Sequence, residues 1–555
     1  MGLNATLYTA GRSLELFTAG IQVAGQNVAN ANTPGYVREN LNISTNLPYE
    51  SGGMIFGTGA QENGIRQQLD YHLEQQIHQA NADVYGSEAR NQAYAEVQLI
   101  LSELTSGDLS SLMNEFTGAI SEVVNQPELI PNRQVVLQQG AQLAEAIQTM
   151  REQIDRSRVS ENVKVEGLVE EVNELVDEIA KLNTQIVRLE AGGLHRSQAG
   201  GLRSLRLEAL NRLSQIMPIQ TQEKDNGIID VTIGSNNLVV NSHAQHLEVF
   251  HVADRNIPVS NYRFSDTKAL FTTTDGEIGG AIEARDGILG TFSDQLETYT
   301  QALIEQVNRI HASGEGVIGY ESITATNGMD DTSVALNQAG LMFNPDHGGF
   351  EIKVYDRATD TTTTSYIQID LDGLGGNDTS LDDLQASLDA IDHLSASIDQ
   401  QGRLSINADN GYEIKFHNDT SGTLAALGIN TFFQGVNSLG IAVNETLNSD
   451  PRLFAAGLGE GPGDNRNALE LANFVELPSE KLKGVSLDDF YTNVASQIAN
   501  SANAESALSV GFNAYKDSLN GLRLQNSGVS LDEEAIHILE LQQGFAAAAR
   551  IVSTV

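Results

Sequence analysis

Apolar residues at the start of the chain recur at alternating steps of four and three: Leu3, Leu7, Ala10, Leu14, Phe17, Ile21, Ala24 and Val28. This is a heptad seam and predicts one amphipathic helix. The other end repeats the pattern with Leu531, Ala535, Ile538, Phe545, Ala549 and Val552, interrupted only by polar Gln542. A seam cannot bury itself on one helix, so each end requires a partner helix: the other end, or a second copy of the chain. Leu3, Leu7, Leu14, Phe17, Ile21 and Val28, with Leu531, Ile538, Phe545 and Val552, are the expected assembly interface.

Between the ends the periodicity changes several times. Residues 41–66 read as a β-rich loop with turns at Gly52-Gly53 and Gly57 to Gly59. A long helix is expected from about 67 to 104, with connections at Gly107 and Pro127 to Pro131. The strongest coiled-coil signal follows: Val165, Leu168, Val172, Leu175, Ile179, Leu182, Ile186 and Leu189 in unbroken heptads. Upstream, Leu143, Ile147, Met150 and Ile154 extend it across a polar interruption at Ser157 and Glu161, so 133–189 predicts one rod of ~85 Å. Gly192-Gly193 ends it, and a helix over 202–216 stops at Pro218. A small β segment spans 220–275, with strands over 228–251 turning at Asn236-Asn237. Helix returns over 277–314, opened by Gly279-Gly280.

Residues 340–435 read as a β-rich insert with strands at 350–356, 365–371, 403–407 and 412–417 and a short helix near 381–391. Such an insert should fold independently, and excising it should leave the helical body intact. From about 487 helix resumes, and Ser530 with Glu533 forms a capping box that starts the last one. The fold class is therefore α+β and multidomain: long terminal and central coiled-coil helices with a β-rich inserted outer domain. Its expected domains are 1–40 (axial helix), 41–66 (β-rich loop), 67–320 (helical), 321–480 (acidic, β-rich) and 481–555 (C-terminal helices).

Charge sharpens that layout. The 555 residues hold 32 basic and 73 acidic side chains, a net charge of −41. Such a surface repels phosphate and anionic lipid, which excludes nucleic acid as a partner class. Residues 321–480 hold six basic against 25 acidic side chains, whereas 1–40 hold two of each. A solvated outer part and a packed, near-neutral inner part follow. The absence of cysteine removes disulfides, zinc–thiolate sites and a thiol nucleophile. No signal peptide is expected at the start, and no apolar run approaches the ~18 residues of a membrane helix, so no membrane insertion is expected. The opening Met1-Gly2-Leu3-Asn4-Ala5-Thr6 matches a myristoylation pattern, but Leu3 and Leu7 already belong to the seam.

Candidate chemistry does not assemble. His243, His246 and His251 cluster in a predicted strand region without a helical ligand pattern. Asp370-Leu371-Asp372-Gly373 is like the start of a calcium loop, but Leu374 and Leu381 stand where oxygen ligands belong. Gly375-Gly376-Asn377-Asp378 occurs once where a β-roll needs tandem copies, and Ser265 to Lys268 lacks companion motifs. Gly457 to Gly463 follows no clear strand and contains Glu460 and Pro462, which suits a linker rather than a phosphate cradle. No catalytic residue, metal or cofactor is expected, and the chain is read as a non-enzyme.

Four regions carry a resemblance. Asn27-Val28-Ala29-Asn30-Ala31-Asn32-Thr33-Pro34-Gly35-Tyr36 reads physically as a helix stop, with Asn caps and a type II turn at Pro34-Gly35. As a motif, with Asn27, Asn30, Thr33, Pro34, Gly35 and Tyr36 as its marks, it resembles the N-terminal signature of bacterial flagellar rod, hook and hook-associated proteins. Gly528 to Glu534, continuing through Leu541-Gln542-Gln543-Gly544-Phe545, resembles the matching C-terminal signature. Ile278 to Asp286 with Val307 to His311, and Leu427 to Gly435 with Ile441 to Asn444, resemble the flagellar hook-associated protein 1 family. That resemblance implies a structural subunit joining hook to filament, exported through the flagellar type III channel to the extracellular flagellum. It implies as partners copies of itself, the hook protein, hook-associated protein 3, and a cytosolic export chaperone on the C-terminal helices. Another axial protein of hook or rod type, or a flagellar scaffold with a binding or enzymatic insert at 320–480, remains the alternative.

Overall fold

The computed structural model describes residues 2–102, 108–191 and 197–554, and both ends are helical. In chain order the helices are α1 (Gly2–Ala29), α2 (Tyr71–Ser102), α3 (Leu109–Asn125), α4 (Ile130–Glu190), α5 (Gly200–Ile216), α6 (Gly276–Ile282) and α7 (Gly290–Ala312). They continue with α8 (Leu381–Asp389), α9 (Thr423–Leu427), α10 (Glu445–Ser449), α11 (Arg466–Ala472), α12 (Leu487–Ser527) and α13 (Leu531–Thr554). Local chemistry sets several of their starts. Asp108 accepts the Ser111 N–H at α3, Ser380 and Asp383 form a reciprocal box at α8, and Ser530 Oγ accepts the Glu533 N–H at 3.4 Å. The turn signals at Gly107 and Gly192-Gly193 lie outside the described residues.

The strands form small antiparallel sheets. A ribbon of β1 (Glu39–Thr45) and β4 (Ala60–Gln67) carries at its tip the hairpin β2 (Tyr49–Ser51) and β3 (Met54–Phe56). Next come β5 (Gln220–Glu223), β6 (Ile229–Ile233), β7 (Asn236–Val240) and β8 (His243–Ala244) in one sheet, then the pair β9 (Leu247–Asp254) and β10 (Ile257–Phe264). The turn expected at Asn236-Asn237 falls instead at Gly234-Ser235, because Gly234 adopts φ +54° and leaves both asparagines in β7. Later strands are β11 (Ser322–Thr324), β12 (Gly348–Asp356), β13 (Thr361–Ile369), β14 (Leu394–Ile398), β15 (Leu404–Ala408), β16 (Tyr412–His417), β17 (Phe433–Gln434) and β18 (Ala442–Val443). They pair as β11-β15-β14, β13-β12-β16 and β17-β18.

The chain divides into two compact units, each drawn from separated segments. The first holds residues 1–94, 158–288 and 502–555; the second holds 95–157 and 289–501. This division cuts across the sequential domains expected from sequence, since the boundary expected at 321 falls inside the second unit. In the first unit the stripe Val165, Leu168, Val172, Val176 and Ile179 of α4 is buried in one core. Leu210, Leu213 and Ile216 of α5, Val231 and Val239 of the sheet, and Tyr262 and Phe264 of β10 complete that core. The stripe is thus closed by a helix and two small sheets, and Leu189 at its end is exposed.

The second unit is centred on aromatic rings. Phe116 of α3 lies 5.2 Å from Phe432 and 6.1 Å from Phe474 between ring centroids, and a Cβ on Gly140 of α4 would stand 2.6 Å from the Phe432 ring. Arg133 is buried beside this core. Its guanidinium donates to the Phe454 and Pro127 carbonyls, and burial pulls its pKa down to about 10. Helix over 277–314 is not continuous α. It begins at Gly276 behind Asp275, not at Gly279-Gly280, and passes through a π-helical segment, Glu283–Leu289. Within the first unit's part of that segment Arg285 is fully buried, its Nη1 donating to Asn162 Oδ1 at 2.9 Å and its carbonyl accepting from Arg158 Nε.

Candidate assembly surface at the chain ends

In the first unit α1 and α13 pack against each other. Two glycines set how closely. A Cβ on Gly20 would lie 3.0 Å from Leu541 Cδ1, and one on Gly544 would lie 2.7 Å from the Phe17 ring. Leu541 therefore lies over the notch in α1, and Phe17 over the notch in α13, a reciprocal ridge-in-groove fit. Glycine inside a helix costs about 1 kcal/mol against alanine, so Gly20 and Gly544 are the local signal of close approach that periodicity alone passes over.

The pairing uses only one side of each apolar stripe. Ala10, Leu16, Val23 and Ala24 are buried on α1, and Leu541 and Ala548 on α13. Of the residues singled out from sequence, Leu14, Phe17, Ile21, Ile538 and Val552 are half-buried, while Leu7, Val28, Leu531 and Phe545 are exposed. The side chain of Leu3 lies outside the described residues. Leu541, absent from the heptad reading, makes the contact over Gly20, and Leu16 and Val23, also absent from it, are buried on α1.

The Asn/Pro-Gly stretch after α1 is a knot of hydrogen bonds. Asn27 is buried; its Nδ2 donates to the Glu39 carbonyl at 2.9 Å, while its Oδ1 accepts from the Glu39 N–H at 3.0 Å and the Tyr36 hydroxyl at 3.0 Å. A primary amide presents donor and acceptor side by side, as a peptide group does, so Asn27 pairs with strand β1 as a ladder neighbour would. Asn30 Nδ2 caps the Gln26 carbonyl at 3.0 Å, and its Oδ1 accepts from the Thr33 hydroxyl. The Tyr36 N–H returns to the Thr33 carbonyl across Pro34-Gly35, and Gly35 takes the positive φ (+73°) of a type II turn.

The next residues tie this knot to the far end of the chain. The Arg38 N–H donates to the Ser527 carbonyl at 3.0 Å. Its guanidinium meets Glu534 at 2.8 Å and Glu533 at 3.0 Å, and Glu534 is almost wholly buried. Burial raises the pKa of Glu39, and pushes that of Tyr36 up to about 12 with help from the Glu39 and Glu534 carboxylates. Arg38 was not among the residues singled out; an isolated basic residue in a neutral segment gives no periodic signal.

The chemical candidates are dispersed. His246 meets Asp177 at 2.9 Å and His251 meets Glu166 at 3.2 Å, both on α4, so these histidines do not converge on each other. Asp464 accepts from the Leu458 and Glu460 N–H groups and from Arg466, which holds its carboxyl far below the usual range. The glycine-rich loop therefore spends its N–H groups on its own carboxylate. His347, Asp370 and Asp372 bring ligand-type atoms within 4.8 Å of one another, a grouping not visible in sequence because His347 is 23 residues away; two of the three are exposed. None of the described helices is long and apolar enough to cross a membrane.

Residues 94–322 match the family model described as "Flagellar hook-associated protein FlgK helical domain". The chain is 23% identical to flagellar hook-associated protein 1 of Escherichia coli, over 100% of this chain and 98% of that protein. It is also 23% identical to the protein of the same name in Bacillus subtilis, over 99% and 95%. The solved structure of the flagellar hook junction protein FlgK from Burkholderia pseudomallei superposes with a TM-score of 0.51 at 14% identity, covering 82% of this chain and all of that one. That likeness concerns the fold.

Proposed function

The chain belongs to the flagellar hook-associated protein 1 family, and on that premise we propose that it is the structural subunit joining hook to filament in the bacterial flagellum. One observation carries the mechanism. α1 and α13 are already paired in the single chain, yet Leu7, Val28, Leu531 and Phe545 remain in water on the outer sides of that pair. Apolar stripes left open in water favour copies packing side by side, at about 25 cal/mol per Å² removed from water. The acidic 321–480 region, with six basic against 25 acidic side chains, suits contact with water rather than with neighbouring copies.

The finer partners are those that the family resemblance implies. The hook protein would contact the subunit below and hook-associated protein 3 above. Leu508, Tyr515 and Leu522 stand half-exposed on α12 and suit capture of the C-terminal helices by a cytosolic export chaperone before secretion. After export through the type III channel, the same helices would be released to neighbouring subunits in the extracellular flagellum. Labelled electron microscopy of detached flagella tests the assignment: label should sit only where hook meets filament. Label along the hook or the rod would sink it in favour of another axial role.

A further inference from the structure

The hairpin β2–β3 has no covering layer. Ile55 is 76% exposed and Met54 61%, in a two-stranded ribbon that pairs with no other strand among the described residues, and Leu47 just before it is 84% exposed. Such a ribbon is marginal in water on its own. Its register puts Tyr49 opposite Phe56 and Ser51 opposite Met54, so Tyr49, Met54 and Phe56 share one face. Tyr49 and Phe56 are stacked at 5.7 Å, which gives that face a preformed apolar plate. From 46 to 58 the only charge is Glu50.

The same unit has a second uncovered apolar line. On α12, Leu508, Tyr515 and Leu522 repeat every seven residues, about 10 Å apart, beside the buried contacts of Ser509 and Leu519. We propose that the Tyr49–Met54–Phe56 face of one copy docks on the Leu508–Tyr515–Leu522 line of a second copy, making the hairpin an intermolecular arm. This rests on the reading of the chain as a self-assembling subunit.

A second copy is the occupant for two reasons. The arm is rooted in the surface that assembly already uses: β1 and β4 pack on α1, where a Cβ on Gly59 would stand 2.9 Å from the Thr9 methyl. Three rings and side chains are far too few for a separate stable interface, which needs roughly 1,200 Å², so the contact has to extend a larger one. Charge gives the second reason. Chains of net −41 repel each other, and close approach is cheapest where carboxylates are few. The hairpin has only Glu50, and on α12 the segment 508–524 balances Asp517 against Lys516 and Arg523. Arm and receiving line differ, so the contact is heterologous and propagates around a ring or helix rather than closing a pair.

The cysteine-free chain makes the test direct. Full-length Met54→Cys and Tyr515→Cys, carrying different tags, are co-expressed in flagellated cells, and detached flagella are oxidised. A mixed-tag disulfide dimer is expected. A control pair, Leu7→Cys with Phe545→Cys, reports contact between copies at the terminal helices. Cross-linking of the control without the Met54–Tyr515 product overturns the arm while leaving assembly standing. Failure of both pairs overturns the assembly reading and the arm with it. A second variant, Met54→Asp, should fold normally, because its side chain is exposed in the subunit, yet enter flagella at least about tenfold less. Wild-type incorporation of Met54→Asp would also overturn the arm.

Discussion

Asn27 illustrates how much one side chain can organise. Its amide answers both backbone groups of Glu39 and the Tyr36 hydroxyl, all in a buried site. Asn27→Ala strands those groups, at about 2–3 kcal/mol of local stability. Asn27→Asp should cost as much, because a carboxylate cannot donate to the Glu39 carbonyl. Hydrogen exchange at the Glu39 amide reads both: protection should fall in each variant while the second unit is unchanged. His311 carries a different kind of information. Ala455 N–H donates to its Nε2 at 3.1 Å and its Nδ1 donates to the Asn430 carbonyl at 2.8 Å, which requires the neutral ring. Burial pulls its pKa down to about 4, as it does that of His78 in the first unit. The unfolded histidine takes its proton near 6.5, so this contribution is whole above that pH and is lost as pH falls toward about 4. Urea midpoints at about pH 7.5 and about pH 4.5 should therefore drop steeply for the wild type, and less steeply for His311→Gln, already weaker at neutral pH. A parallel drop in both would remove His311 from the account.

At the scale of elements, glycine notches decide how the terminal helices meet. Gly544→Val drives a branched side chain into Phe17, at about 1–3 kcal/mol. Proteolysis should then trim α1 and α13 faster and leave the second unit resistant. The β-rich insert shows where the sequence boundary misleads. Excision of 340–435 was expected to spare the helical body, but that segment includes Phe432 and Phe433 against Phe116, and Asn430 against His311. Its true roots are earlier: Tyr320 bridges Ile414 and β11 pairs with β15. The 340–435 deletion should unfold the second unit, seen as loss of its near-ultraviolet aromatic signal. A deletion confined to 357–360, the exposed turn between β12 and β13, should not.

For the whole molecule, folding and assembly are separable only at residues that the subunit leaves open. Phe545 is 40% exposed, so Phe545→Asp should leave thermal unfolding nearly unchanged and abolish incorporation at the hook–filament junction. Phe17→Asp is a different experiment, since Phe17 also packs over Gly544 within the chain and its loss should loosen α1 as well. Quantitative blotting of detached flagella beside melting curves of the secreted subunit separates the two. Equal melting losses in both variants would contradict the exposure of Phe545.

Heptad spacing, turn residues and capping chemistry act over a few residues, and these were legible in the sequence. The helices at both ends, the unbroken α4, the Pro34-Gly35 turn and the Ser530 start of α13 all follow from such local rules. Local rules give the stripe on a helix, but not what covers it. Whether α4 meets another helix or a sheet, which side of α1 turns to α13, and how Arg38 reaches Glu534 are set by residues hundreds of positions apart. Those choices depend on close packing, where a missing Cβ at Gly20 or Gly544 outweighs the periodicity of the stripe around it. Periodicity therefore determined the elements, and only the tertiary structure decided their partners.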